Sequence, residues 1–442
     1  MKTSTKTKVP ELRFPEFEGE WMKKQLGSIT SKIGSGKTPR GGSEIYTSAG
    51  IPFIRSQNVN NNSLILDETH IPGSVHLEMK SSKVKRNDIL LNITGGSIGR
   101  SCVVPNSFDE GNINQHVSII RLKKDQPYFL QPYLSSYKGQ KLIFRSMTGS
   151  GREGLNFKSI GDFKIYFPSL LEQQKIADFL SQVDRKIDLL QQKVSALETY
   201  KKGVMQQLFS QEIRFKRGLS GGKEQVQQIR SKRGLSGAEG QDDGCDFPDW
   251  EEKKLGEIGN TYSGLSGKKK DDFGEGYKYI QYKQIFDNSK IDILECGEVS
   301  INESEKQNKV EFGDIFFTVS SETPDEIATA SVFLSSVEET IYLNSFCFGY
   351  RLDKNIISPF YARYLFRSHS FRKKIIPLAQ GSTRFNISKS NFIKLKTKLP
   401  TLKEQTKIAN FLSSIDQKIT HTQAQLEQTQ SFKKGLLQKM FV

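Results

Sequence analysis

The chain has 442 residues, with 65 Lys and Arg against 49 Asp and Glu, a formal net charge of +16; its pI is near 9.4 and its mean hydropathy −0.52. No apolar run approaches the roughly 18 residues that span a bilayer, no apolar segment follows the first methionine as a secretory leader would, and 29 Phe exclude a disordered polycation. A soluble, folded, basic, multidomain protein remains, with no membrane partner, and its large partner is expected to be a polyanion.

In chain order, residues 13–167 read as a first mixed α/β domain of short strands. Ile51–Ile54, Ile89–Ile93 and Val117–Leu122 are strand candidates, followed by a helical stretch near Tyr128–Phe144. Loops rich in Gly, Ser, Thr, Asn, Lys and Arg separate them, at Gly34–Gly42, Ser56–Ser63, Thr94–Ser101 and Gly149–Asn156. That residue mix suits phosphate and base-edge hydrogen bonds to double-stranded DNA. The candidates are Lys37, Thr38, Arg40, Arg55, Gln57, Arg100 and Arg152. Ser31–Thr38 also comes close to a phosphate-binding P-loop, with Ser31 where the first Gly belongs and Pro39 where a helix should begin. A P-loop-like NTPase or nuclease using Lys37 is therefore an alternative, as is a coiled-coil scaffold that binds no DNA.

Residues 168–209 read as a long helix. Ser169 and Glu172 form an S-x-x-E capping box, expected to return the Glu172 carboxylate to the backbone of the cap. A heptad seam follows through Ile176, Leu180, Val183, Ile187, Leu190, Val194, Leu197, Lys201, Val204 and Leu208. Gly203 lies within it, implying close helix contact or a frayed end. Residues 210–245 read as a flexible linker containing the duplicated Lys216–Gly221 and Lys232–Gly237.

The pattern then recurs. Residues 246–399 read as a second α/β domain, with strands at Tyr277–Gln281, Asp314–Val319 and Ser345–Leu352, a helical stretch at Pro359–Ile376, and loop candidates Lys268, Lys269, Gln281, Lys283, Arg384 and Asn386. Residues 400–442 read as a second long helix with Thr401 and Glu404 at its cap. Its seam runs Ile408, Leu412, Ile415, Ile419, Thr422, Leu426, Thr429, Lys433, Leu436 and Met440. Leu171–Leu180 (LEQQKIADFL) and Lys403–Leu412 (KEQTKIANFL) share seven residues at an offset of 403 − 171 = 232. The offset persists to Lys201–Gly203 and Lys433–Gly435, and the chain's two tryptophans, Trp21 and Trp250, open the two copies. A whole module is duplicated. The fold class expected is α+β: two similar mixed α/β recognition domains and two long antiparallel coiled-coil helices with a pseudo-two-fold repeat, arranged as a dumbbell.

Cys102, Cys245, Cys296 and Cys347 are scattered, and the five His show no close ligand spacing. Neither pattern points to a metal centre, and no local catalytic signature stands out.

Proline, a cap and EQxKIAxFL, twice, resembles the specificity subunit of type I restriction–modification enzymes. Ser35–Pro39, Gly381–Asn386 and the openings at Trp21–Ile29 and Phe247–Ile258 fit the same likeness. The resemblance implies a non-catalytic cytoplasmic subunit. Each domain would read one half of a split DNA site, and the helices would set the unread gap. Two methyltransferase subunits would bring S-adenosylmethionine, and restriction subunits would bring ATP and magnesium. Ile176, Leu180, Val183, Ile187, Leu190, Ile408, Leu412, Ile415 and Ile419 would then build the helical spacer and subunit docking.

Overall fold

The computed structural model describes residues 9–148, 154–215, 247–442 and the backbone of 229–231. Two compact units emerge. The first comprises Met1–Gln192 with Gln423–Val442, and the second comprises Lys193–Thr422. Each unit therefore contains one globular part, the start of the long helix that follows it, and the end of the other long helix.

The first unit is built on a four-stranded antiparallel sheet, in the order Thr30–Ser35, Val117–Leu122, Ile89–Asn92, Ser101–Val103. Ile89–Asn92 is buried throughout, because both faces of the sheet are covered. Successive side chains of a strand point to opposite faces. Ile89 and Leu91 accordingly join Trp21, Leu26, Phe129 and the long helices on one side. Leu90 joins Ile54, Cys102 and Ile113 on the other. The second unit repeats this sheet with Gly259–Ser263, Cys347–Leu352, Ile315–Thr318 and Ala330–Val332. Ile315 and Phe317 face one core and Phe316 the other. Phe317 is ringed by Phe348, Phe366 and Phe392 at centroid distances of 5.2, 5.2 and 4.7 Å.

The helical stretch expected at Tyr128–Phe144 is two helices, Pro127–Ser135 and Tyr137–Arg145. The break is at Ser136, whose hydroxyl accepts from the Gly139 N–H at 3.2 Å and so starts the second helix. Ser368 breaks Pro359–Leu365 from His369–Ile375 in the same way.

The long helices run Leu170–Phe209 and Leu402–Lys439. Every expected seam position is buried or half-buried, while most of the residues between are exposed. Ile176, Leu180 and Val183 pack in the first unit with Leu436, Met440 and Phe441. Ile408, Leu412 and Ile415 pack in the second with Val204, Leu208 and Phe209. Low numbers on one helix meet high numbers on the other, so within each unit the two segments run antiparallel.

The four seam positions that break the apolar pattern are accounted for. Lys433 pairs with Asp184 in the first unit, and Lys201 pairs with Asp416 at 2.5 Å in the second. These are the same two repeat positions with the helices exchanged. Thr422 and Thr429 satisfy their hydroxyls on the Lys418 and Gln425 carbonyls, one turn back. Gly203 and Gly435 mark neither close helix contact nor fraying. Both helices continue past them, and a Cβ at either position meets nothing within 4 Å.

The motif letters acquire roles. The Ser169 and Thr401 hydroxyls accept from the Glu172 and Glu404 N–H groups at 3.3 and 3.4 Å, which is one half of the expected capping box. The carboxylates turn elsewhere. Glu172 accepts from Arg13 at 2.8 and 2.7 Å and from the Trp21 indole at 3.2 Å. Glu404 accepts from Arg214 at 3.1 and 2.7 Å and from the Trp250 indole at 3.2 Å. Gln173 and Gln405 each accept the backbone N–H of the residue that caps the next helix in space, Gln126 and Ser358, at 3.0 and 2.8 Å. Phe179 and Phe411 meet Phe14 and Phe215 edge-on, both at 5.7 Å.

Candidate nucleic-acid interface

Antiparallel pairing decides where the loops go. In the first unit the C-terminal ends of Thr30–Ser35 and Ile89–Asn92 lie beside the N-terminal ends of Val117–Leu122 and Ser101–Val103. Loops 36–40, 93–100 and 114–116 therefore leave the sheet at one end. Ile51–Ile54 runs parallel to Asn112–Ile113, which brings loop 55–58 to the same end. Asn92 secures it with a 2.8 Å bond to the Ser56 carbonyl. The second unit repeats the arrangement. Loops 264–269, 319–329 and 344–346 emerge together, joined by Gln281–Lys283 because Phe273–Ile280 runs parallel to Ile341–Leu343. The hairpin 380–386 is attached through Ser320 and Ser321, which pair with Asn386 and Phe385.

Loops scattered through the sequence are thus one cluster in each unit. Lys37, Thr38, Arg40, Gln57 and Arg100 are exposed in the first, and Lys269, Gln281, Lys283, Arg384 and Asn386 in the second. Thr38 donates to Gln115 at 2.7 Å. Three further candidates are already engaged. Arg55 binds Asp67 and Thr69 at 2.8 and 2.6 Å, and Gln57 also binds Asp67, at 2.7 Å. Burial would raise the Asp67 carboxyl, but the Thr69 N–H and the side chains of Gln57, Asn58 and Thr69 hold it well below the usual carboxylate range. The Lys268 side chain is only 6% exposed and binds Glu305 at 2.6 Å. That contact, then the Asn302 N–H and Gln307, bring Glu305 down to about 2. The Gly149–Arg152 segment, with Arg152, and Lys216–Gly221 with its copy lie outside the described residues.

Of the nine spacer candidates, Ile176, Leu180, Val183, Ile408, Leu412 and Ile415 are buried in the cores of their own units. Ile187 and Ile419 pack at the core margins, and Leu190 is half-buried.

The Lys37 segment does not have the P-loop architecture. Residues 36–39 are irregular and no α-helix begins at Thr38. Gly36 serves the fold: a Cβ there would stand 1.6 Å from the Ile113 carbonyl oxygen. Among the described residues, no group of three or more His, Cys, Asp or Glu is placed to hold a metal ion, and no helix is long and apolar enough to cross a membrane.

Sequence reasoning missed the loop tips. His116 and Phe346 sit at equivalent places, one residue before the central strand. Asn114 and Asn344 accept their N–H groups at 3.0 and 2.8 Å. Ile93 and Val319 bond their carbonyls, both at 3.0 Å. The matching Asn-x-[His/Phe] before each strand was the available signal. It also missed Arg13 and Arg214, although Glu11-Leu12-Arg13-Phe14 matches Glu212-Ile213-Arg214-Phe215. That match has an offset of 212 − 11 = 201, outside the main repeat.

Comparison with known proteins gives a consistent result. The family model for the type I restriction modification DNA specificity domain matches residues 18–199 and again 248–429. The chain is 25% identical over 395 residues to the type I restriction enzyme MjaVIII specificity subunit of Methanocaldococcus jannaschii, covering 82% of this chain and 80% of that one. It is 30% identical over 151 residues to the EcoBI specificity subunit of Escherichia coli, covering 33% of this chain and 31% of that one. In fold it is similar to the crystal structure of the type I restriction–modification S subunit from M. genitalium, with a TM-score of 0.56, 16% identity and coverage of 98% and 99% of the two chains.

Proposed function

The chain belongs to the type I restriction modification DNA specificity family, and from that premise we propose that it reads a bipartite DNA site, one half per unit, as a non-catalytic cytoplasmic subunit. The observation that carries this reading is the duplicated loop cluster. One end of each four-stranded sheet gathers exposed Lys, Arg, Gln and Asn side chains, and the two sets differ while their supporting frames match. The frame supplies strands, caps and core, and the loops supply donors for phosphates and base edges. The methylation and cleavage chemistry, with S-adenosylmethionine, ATP and magnesium, belongs to methyltransferase and restriction partners.

The test is an exchange of residues 22–167 for the corresponding segment of another family member. This cut retains Arg13 and Trp21, the partners of Glu172. Mapping methylated bases should show one half of the motif changed and the other half and the gap unchanged. A change in both halves, or in neither, would overturn the reading.

Two copies of one methyltransferase subunit would dock on the outer faces of the long helices. The seam residues are consumed internally, but Tyr200 and Phe432, again 232 positions apart, are 44% and 56% exposed. Each lies three residues before Gly203 or Gly435, hence beside it on the helix surface. These glycines cost about 1 kcal/mol each relative to Ala, and among the described residues nothing requires them. A partner backbone approaching beside an aromatic side chain gives them a use. Gly203→Ala and Gly435→Ala should each stabilise the isolated chain by about 0.4–1 kcal/mol. Tyr200→Ala should reduce the complex from two methyltransferase subunits to one, as should Phe432→Ala, read by native mass spectrometry. Retention of both subunits in each variant would refute this placement.

A further inference from the structure

The two loop clusters are built alike but finished differently at the tip. In the first unit the tip is polar: His116 Nδ1 lies 2.5 Å from the Thr94 hydroxyl and its Nε2 lies 3.1 Å from Gln115. In the second unit the equivalent residue is Phe346, 63% exposed. Its backbone is held at both N–H and carbonyl, so the ring is displayed on a fixed support. Beside it opens a cleft of about 420 Å³, lined by Tyr282, Phe286, Ser320, Glu322 and Arg384 among others. The Tyr282 and Phe286 rings are nearly parallel, at an interplanar angle of 13°. Tyr282 is fixed by its 2.8 Å bond to the Ser320 carbonyl.

Two features fit a ligand in this cleft. The Ser320 hydroxyl oxygen is buried and has no hydrogen-bond partner among the described residues, although buried polar groups are normally paired. Glu322 is an exposed carboxylate beside Arg384 on a surface proposed to face DNA. There phosphate repels it, and a base amino group is its natural donor. An apolar wall with a few convergent polar groups is the usual form of a ligand cleft.

We propose that the second unit reads its half-site partly by stacking: Phe346 enters the base stack as a wedge, and the cleft beside it receives the displaced nucleobase over Tyr282. Glu322 and Ser320 face the polar edge of that base, which favours one carrying an exocyclic amine, cytosine or adenine. Apolar side chains that enter base steps unstack them, and aromatic faces accept bases by stacking. The first unit, with His116 hydrogen-bonded at the same place, reads its half-site without a wedge. The inference rests on the DNA-reading function proposed above and adds the ligand of one cleft to it.

The test uses the full chain assembled with its methyltransferase subunits, on duplexes carrying the mapped motif with 2-aminopurine placed in turn at each position. Binding should raise the fluorescence at the base that each methyltransferase subunit extrudes, in either half-site; one further rise is expected, in the half-site read by the second unit only. Phe346→Ala should abolish that rise and weaken specific binding by roughly ten- to a hundredfold, the loss expected for a stacking aromatic. Phe346→His should act likewise. Both variants alter an exposed side chain, so unchanged thermal unfolding verifies the fold. Specific binding by the wild type without that further rise would overturn the inference and leave the proposed function standing. So would an unchanged further rise in Phe346→Ala. Absence of any site-specific binding by the wild type would overturn both.

Discussion

Glu172→Ala should destabilise the first unit by about 3–5 kcal/mol, the usual cost of removing one partner from a buried ion pair. The carboxylate is 1% exposed and Arg13 is 13% exposed, so water replaces little of what is lost. Arg13 loses both bonds to Glu172 and the Trp21 indole loses its acceptor. Glu172→Gln should cost less, because an amide oxygen still accepts one of these bonds. Hydrogen exchange locates the effect: protection should fall in the first unit and persist in the strands of the second. Glu404→Ala should give the reverse, through Arg214 and Trp250. Equal loss in both units from either variant would contradict the division of the chain into two units.

Phe441→Ala should destabilise the first unit, not the second, by about 3–5 kcal/mol. Phe441 ends the second repeat in sequence, yet its ring is 1% exposed and lies 5.5 Å from Phe129 and 5.7 Å from Tyr133. The counterpart Phe209 ends the first helix and packs on Tyr361 and Trp250 of the second unit, at 5.6 and 6.5 Å. Phe209→Ala should therefore unfold the second unit preferentially. Denaturant melts of each variant, followed by exchange in the two sheets, would show this crossed pattern. If each variant weakened the globular part that precedes it in sequence, the assignment of helix ends to units would be wrong.

Much of this was legible in the chain. The period of four and three located both seams to the residue, because a side chain facing a partner helix must recur at that spacing. The internal repeat showed that the frame is used twice. The candidate loops were legible as a residue mix, but which side chains remain available was not. Arg55 and Lys268 look like Lys37 and Arg384 in sequence. Only their proximity to Asp67 and Glu305 separates them. The capping box was half legible: the local hydroxyl contact formed, while the carboxylate went to an arginine 159 residues away.

The sequence by itself determined the duplication, the two long helices, their buried faces and the family to which they point. These follow from periodicity and identity, which are local or self-referential properties of a chain. The tertiary structure alone decided that loops far apart in sequence meet at one end of each sheet, because strand direction and register are set by pairing across long stretches of chain. It also decided that each helix ends in the core built around the other repeat. The lysines within the seams show why both levels are needed. As letters they interrupt an apolar pattern, and only the antiparallel approach of the second helix brings Asp184 to Lys433 and Asp416 to Lys201.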